Sequence, residues 1–130
     1  MIVLDTHVWS WWVHCPERLT DAQQSVLTAA EADVIGVSAI SCWEAAKLVE
    51  RGRLELPVSL ERWFPLAFAY PGVALLPLTP EIALASTRLP GSFHRDPADQ
   101  LIVATARVLK CPLLTSDTRI LAYEHVRTIS

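Results

Sequence analysis

His94-Arg95-Asp96-Pro97-Ala98-Asp99-Gln100-Leu101-Ile102-Val103-Ala104-Thr105-Ala106 reads as the entrance to a buried helix. Asp96 suits the N-cap and Pro97 the first helical position. Asp99 falls at the third, where a carboxylate meets backbone N–H groups that have no partner inside the helix. Leu101, Ile102, Ala104 and Ala106 then make nearly every face apolar, which predicts cover on most sides. Alone, this D-P-x-D is a capping arrangement. Three further acids, Asp5, Glu44 and Asp117, stand at comparable strand-to-helix junctions, and their company turns the same residues into candidate metal ligands.

Working outward, short apolar runs alternate with helical patterns. Ile2-Val3-Leu4 is a first strand that ends at Asp5, followed by a helix over Val8 to Val13 that His14-Cys15-Pro16 breaks. Trp9, Trp11 and Trp12 point to more than one side of that helix, so two are expected in the core, with an interface role for at least one as the alternative. Thr20-Asp21-Ala22-Gln23 is a capping box for a helix to about Glu31. Val34 to Ser38 is the second strand, and Ser41-Cys42-Trp43-Glu44 reads as another capping box, opening a helix that ends near Gly52. Ser59 caps a helix through Trp63, Phe64 and Phe68. Val73 to Leu76 is a third strand, and Thr79-Pro80-Glu81 opens a helix to about Arg88. The Asp96 helix runs to about Lys110, Leu113-Leu114-Thr115 is a fourth strand, Asp117 starts a helical turn, and Val126 to Ile129 is a last strand. Alternation of this kind predicts an α/β domain with a mostly parallel sheet of four to five strands flanked by helices.

Composition agrees with one domain over residues 1–130. At 52% hydrophobic, with a mean hydropathy of +0.31, the chain calls for a doubly covered sheet or a large surface hidden by a partner. No apolar run approaches the ~20 residues that cross a bilayer, and Met-Ile-Val-Leu-Asp has neither a basic region nor a signal core, so a cytoplasmic, membrane-free protein is expected. Cys15, Cys42 and Cys111 are too far apart for a zinc site or a disulfide framework. A net charge of −3 excludes a simple basic nucleic-acid binder. Lys47, Arg51, Arg53, Arg88 and Arg95 are too scattered along the chain to define a nucleic-acid track.

In an open parallel sheet the ligand site collects at the carboxyl ends of the strands. Asp5 and Asp117 follow strands there, while Glu44 and Asp99 are placed in the first turns of helices aimed at the same edge. Glu44 also suits the Ser41 box, Asp99 the Asp96 cap and Asp117 an Asx turn. Asp5 has no capping pattern to use it. Two unit charges ~4 Å apart repel by on the order of 4 kcal/mol at an effective dielectric near 20, so four carboxylates in one cleft need a cation. Oxygen ligands alone select a hard ion, Mg²⁺ or Mn²⁺, and hard ions in carboxylate clefts serve phosphoryl transfer.

Asp5-Thr6-His7, Ser38-Ala39-Ile40-Ser41-Cys42-Trp43-Glu44, His94 to Asp99 with Leu101 to Ala104, and Thr115-Ser116-Asp117 occur in an order that resembles the PIN domain, specifically the VapC-type toxins of bacterial toxin–antitoxin pairs. The likeness spans essentially the whole chain. It implies a Mg²⁺- or Mn²⁺-dependent endoribonuclease that hydrolyses RNA phosphodiesters with a metal-activated water. Its acids would be Asp5, Glu44, Asp99 and Asp117, with Asp5, Asp99 and Asp117 on the metal. It also implies a homodimer and a small VapB-type antitoxin that covers the cleft. Asp96 would be the cap or an outer acid. Thr6, Ser38, Thr115 and Ser116 would bond the acids or cap helices, and Arg95 and His94 would touch RNA phosphate or brace their loop. Two rivals stand beside this reading: a non-catalytic binding module of the same fold, and a metal-dependent phosphatase. Against the phosphatase, Thr6-His7-Val8 follows Asp5 where a haloacid-type enzyme has D-x-D.

Overall fold

A computed structural model describes residues 1–30 and 33–130. Five strands form one wholly parallel sheet: β1 (Ile2–Leu4), β2 (Ile35–Ser38), β3 (Val73–Leu76), β4 (Leu113–Leu114) and β5 (Thr128–Ile129), in the spatial order β3-β2-β1-β4-β5. Residue alternation along β1 divides the core. Ile2 and Leu4 face one layer with Trp9, Leu27 and Trp63, while Val3 faces the other with Ile102, Val103 and Ile120. Both faces of the sheet are therefore covered, as parallel sheets require.

The first layer contains α1 (Thr6–His14) and α4 (Leu60–Ala67), whose Trp9 and Trp63 meet edge-to-face with ring centroids 4.8 Å apart. Trp9 is fully buried; Trp11 and Trp12 are partly buried at the border of the same core. Trp12 lies 5.0 Å from Tyr70 and Trp11 carries the Arg18 guanidinium 4.8 Å over its ring. One tryptophan of the three is thus fully enclosed. The second layer is built on α6 (Pro97–Leu109), whose Ile102, Val103, Ala104 and Ala106 are buried, with α5 (Pro80–Ser86) beside it. The capping box at Thr20 opens α2 (Asp21–Ala29), and the expected extension to Glu31 lies outside the described residues.

One helix start differs from the sequence expectation. α3 (Ala39–Glu50) begins at Ala39, capped by Ser38, whose hydroxyl accepts the Ile40 N–H at 3.2 Å. Ser41 is inside the helix, buried, and accepts the Thr6 hydroxyl at 3.0 Å. Its side chain is committed to a residue thirty-five positions away, so it cannot cap. Glu44 accordingly sits in the second turn and owes nothing to a capping box.

β1 is central, and the chain winds outward from it through β2 and β3 on one side and through β4 and β5 on the other. The crevice beyond the carboxyl ends of β1 and β4 is therefore the switch point at which open α/β sheets bind ligands. Asp5 leaves β1 and donates its N–H to Leu114 O of β4 at 3.0 Å, which places it at that crevice.

Candidate active site

Asp5 is 6% exposed and has two jobs in the backbone of the site. It is the N-cap of α1, with Oδ1 accepting the Val8 N–H at 2.9 Å, and Oδ2 accepts the Thr115 hydroxyl. The absence of a capping pattern at Asp5, expected from sequence, is thus corrected: an N-cap asks only for a backbone N–H three residues on, whatever side chain carries it. Burial pushes the Asp5 carboxyl above the usual range, against the hydrogen bonds from Thr115 and Val8, and the nearby Glu44 adds to the rise.

Thr115, fully buried, ties two acids together, because its hydroxyl donates to Asp5 and accepts the Asp117 N–H at 3.1 Å. Asp117 caps α7 (Thr118–Leu121) by accepting the Arg119 and Ile120 N–H groups. Burial would raise its pKa, but those two bonds and the Arg119 charge outweigh burial and hold it below the usual range. Ser116 accepts from Gln23 Nε2 at 3.1 Å, and the same amide donates to Thr115 O.

At the mouth of α6, Asp96 is the N-cap, its Oδ1 accepting the Asp99 N–H at 3.0 Å. Asp99 is 9% exposed and lies 2.6 Å from His94 Nε2 through its Oδ2. Burial raises its carboxyl, His94 opposes the rise, and the charges of Asp96 and Asp117 reinforce it. Glu44 is raised as well, first by burial and then, against the Thr6 hydroxyl, by Asp99 and Asp96.

Glu44, Asp96 and Asp99 each offer a carboxylate oxygen, and all three lie within 4.8 Å of one another. Asp5 and Asp117 border this trio electrostatically, Asp5 through Glu44 and Asp117 through Asp99, and each, like Asp96, also uses a carboxylate oxygen to cap a helix. Asp99 belongs both to this trio and to the metal set read from sequence, and Glu44 and Asp96 stand beside it. Three hard oxygen donors converging at this spacing, two of them raised first by burial and then by their acidic neighbours, suit a divalent cation, which would offset both.

His94 braces Asp99, and its carbonyl accepts Gln100 Nε2. Arg95 is exposed and makes no hydrogen bond or ion pair among the described residues. Sequence reasoning passed over Arg119, whose Nη2 stands 3.6 Å from Asp99 Oδ2 and 3.5 Å from Asp117 Oδ2. Its position two residues after an N-cap acid was the available signal. Gln23 and Ser41, both buried, were missed because their partners are remote in sequence.

Residues 2–126 match the PIN domain family. The chain belongs to the PIN-domain family. It is 36% identical over 129 residues to ribonuclease VapC22 of Mycobacterium tuberculosis, covering 99% of this chain and 96% of that protein. Two of the solved structures that share the fold are a VapBC complex and a FitAcB structure. VapBC2 of Rickettsia felis, bound to a DNA fragment from its promoter, has a TM-score of 0.74 at 14% identity, with 99% of this chain and 98% of that one covered. FitAcB of Neisseria gonorrhoeae has a TM-score of 0.65 at 21% identity, with 100% and 97% covered. Among the described residues of this PIN domain, no helix is long and apolar enough to cross a membrane.

The raised carboxyls carry a stability signature. A group whose folded pKa exceeds its unfolded value contributes stability that is complete below the unfolded value and is lost as pH rises through the folded one. Glu44→Gln in metal-free PIN domain should therefore melt above wild type at pH 7.5, and the gap should close as pH falls toward about 4.3, the unfolded Glu value. Thermal melts in EDTA across that window check it, and a gap that widens toward acid would contradict it.

Proposed function

We propose that this PIN domain is a divalent-metal-dependent endoribonuclease and the toxin of a toxin–antitoxin pair, with Mg²⁺ or Mn²⁺ as its ion. The observation that carries the reading is the convergence of Glu44, Asp96 and Asp99 within 4.8 Å at the switch-point crevice, in a chain 36% identical to a ribonuclease. These three acids would hold the ion. When bound, it supplies positive charge at the scissile phosphate and lowers the pKa of water at the cleft.

The chain's own groups do the rest. Asp5, fixed by Val8 and Thr115, keeps negative charge behind Glu44 and holds α1 and β4 in register under the site. His94 fixes the rotamer of Asp99 so that the carboxylate faces its neighbours. Arg119 is 59% exposed at its side chain and brackets Asp99 and Asp117, so its guanidinium is the cation that meets an arriving phosphate. Hydrolysis adds water across one P–O bond and leaves a hydroxyl end and a phosphate end.

The partner in this reading is a VapB-type antitoxin. It is supported by fold neighbours that are VapBC2 and a toxin–antitoxin complex from Klebsiella pneumoniae, and by apolar side chains left exposed at Trp43, Leu75, Leu78 and Leu84. A homodimer belongs to the same proposal, as does action in the cytoplasm, where cellular RNA is found. Incubation of purified protein with total cellular RNA tests the activity. Discrete fragments with Mn²⁺ and none with EDTA are expected; cleavage that persists in EDTA would overturn the metal dependence, and no cleavage by folded, antitoxin-free protein would overturn the nuclease.

A further inference from the structure

Two cavities meet at His125, one beside the acids and the other against the last turn of α6. The first, about 350 Å³, opens beside the acid cluster and shares His94 and Arg119 with it. Its walls are aromatic: Phe93 stands 4.2 Å from His94 and 4.8 Å from Tyr123, and Tyr123 stands 5.3 Å from His125, measured between ring centroids. Tyr123 is nearly buried and its hydroxyl donates to Pro90 O, so this wall is held in place. His125 forms the exposed rim above Gly91, where a Cβ would come 3.4 Å from its Nε2.

The second cavity, about 320 Å³, begins at His125 and is lined by Arg107, Lys110 and Arg127. All three cations are exposed, and none pairs with a carboxylate among the described residues. Arg107 also donates to the His125 carbonyl, which fixes the joint between the cavities. Among the residues that line the two cavities, Glu124, against His125, is the one acid. From Asp99 to Lys110 the path follows α6 for about 16 Å at 1.5 Å per residue.

We propose that a single strand of RNA leaves the acid cluster along these two cavities, one base held in the Phe93–Tyr123–His125 cavity and the next phosphates on Arg107, Lys110 and Arg127. The assignment rests on the ribonuclease reading and adds a binding track to it. Aromatic walls hold any base by its face, and clustered cations follow the backbone, the division of labour by which single strands are bound without a basic protein overall. The track also answers how a chain of net charge −3 approaches RNA.

The two halves have different salt signatures, so binding of a fluorescent single-stranded RNA decamer across a salt series separates them. The Asp99→Asn background keeps the strand intact. Lys110→Asn with Arg127→Gln should reduce the log–log salt slope by about 1.4, at ~0.7 for each phosphate no longer neutralised. Asn suits the left-handed backbone of Lys110, at φ 54°. His125→Ala should weaken binding roughly tenfold and leave the slope unchanged. Arg51→Gln with Arg53→Gln, which line neither cavity, should change neither. An unchanged slope in the Lys110–Arg127 variant, with RNA still bound, overturns the track and leaves the ribonuclease reading standing. A background protein that binds no RNA, beside a wild type that cuts none, removes that reading and the track with it.

Discussion

Asp99→Asn should lower RNA cleavage at least about a thousandfold, equivalent to ~4 kcal/mol of lost transition-state stabilisation, and leave a folded protein. Asp99 is the residue on which every part of the site converges. It shares the ligand cluster with Glu44 and Asp96, it touches His94, and it faces Arg119. The amide keeps the shape and can still accept from His94, but it loses the charge an ion requires. Because burial and its acidic neighbours hold the Asp99 carboxyl above its usual range, removing that charge relieves the folded state at neutral pH. Kinetics with Mn²⁺ and a melt in EDTA on the same preparation check both halves. A variant retaining a tenth or more of wild-type activity would remove Asp99 from the chemistry.

Asp5 should separate two roles that Asp99 does not combine. Asp5→Ala deletes an N-cap, worth about 0.5–2 kcal/mol, and strands the buried Thr115 hydroxyl, at about 1–3 kcal/mol. Relief of a desolvated charge offsets part of this loss. The cap and the stranded hydroxyl dominate, because both bonds lie in the buried joint between β1, α1 and β4. We expect Asp5→Ala to melt roughly 5–10 °C below wild type in EDTA at pH 7.5. Asp5→Asn retains an oxygen for the Val8 N–H, and should melt at or above wild type. Both should lose cleavage. If Asp5→Ala melted as high as Asp5→Asn, the capping role would be wrong, and if Asp5→Asn cut RNA normally, the charge would be dispensable.

These two acids also mark how far the sequence could be read. The mouth of α6 was legible because Asp96, Pro97 and Asp99 act within one turn, where local chemistry decides the conformation. The parallel sheet was legible because its short apolar strands alternate with helices. The start of α3 was not. Ser38 and Ser41 are both good caps, and what decides between them is Thr6, which claims Ser41 from another helix. The capping role of Asp5 was hidden for a different reason: its acceptor geometry depends on backbone alone, so no side-chain pattern announces it.

The metal set shows the same limit at the site. Sequence order ranked Asp5 and Asp117 with Asp99, while the approach of Glu44 and Asp96 to Asp99 depends on how α3 packs against α6. Arg107, Lys110 and Arg127 were invisible as a group, since the cavity that joins them brings the end of α6 to the segment entering β5.

Calorimetric titration of Mn²⁺ into metal-free wild type, Asp96→Asn and Arg95→Gln tests the ligand cluster most directly. The cluster of Glu44, Asp96 and Asp99 predicts saturable binding to wild type, at least tenfold weaker binding to Asp96→Asn, and no change in Arg95→Gln, whose side chain makes no ion pair with the acids. Binding to Asp96→Asn as tight as to wild type, or no binding to wild type at millimolar Mn²⁺, would contradict the metal centre at the mouth of α6.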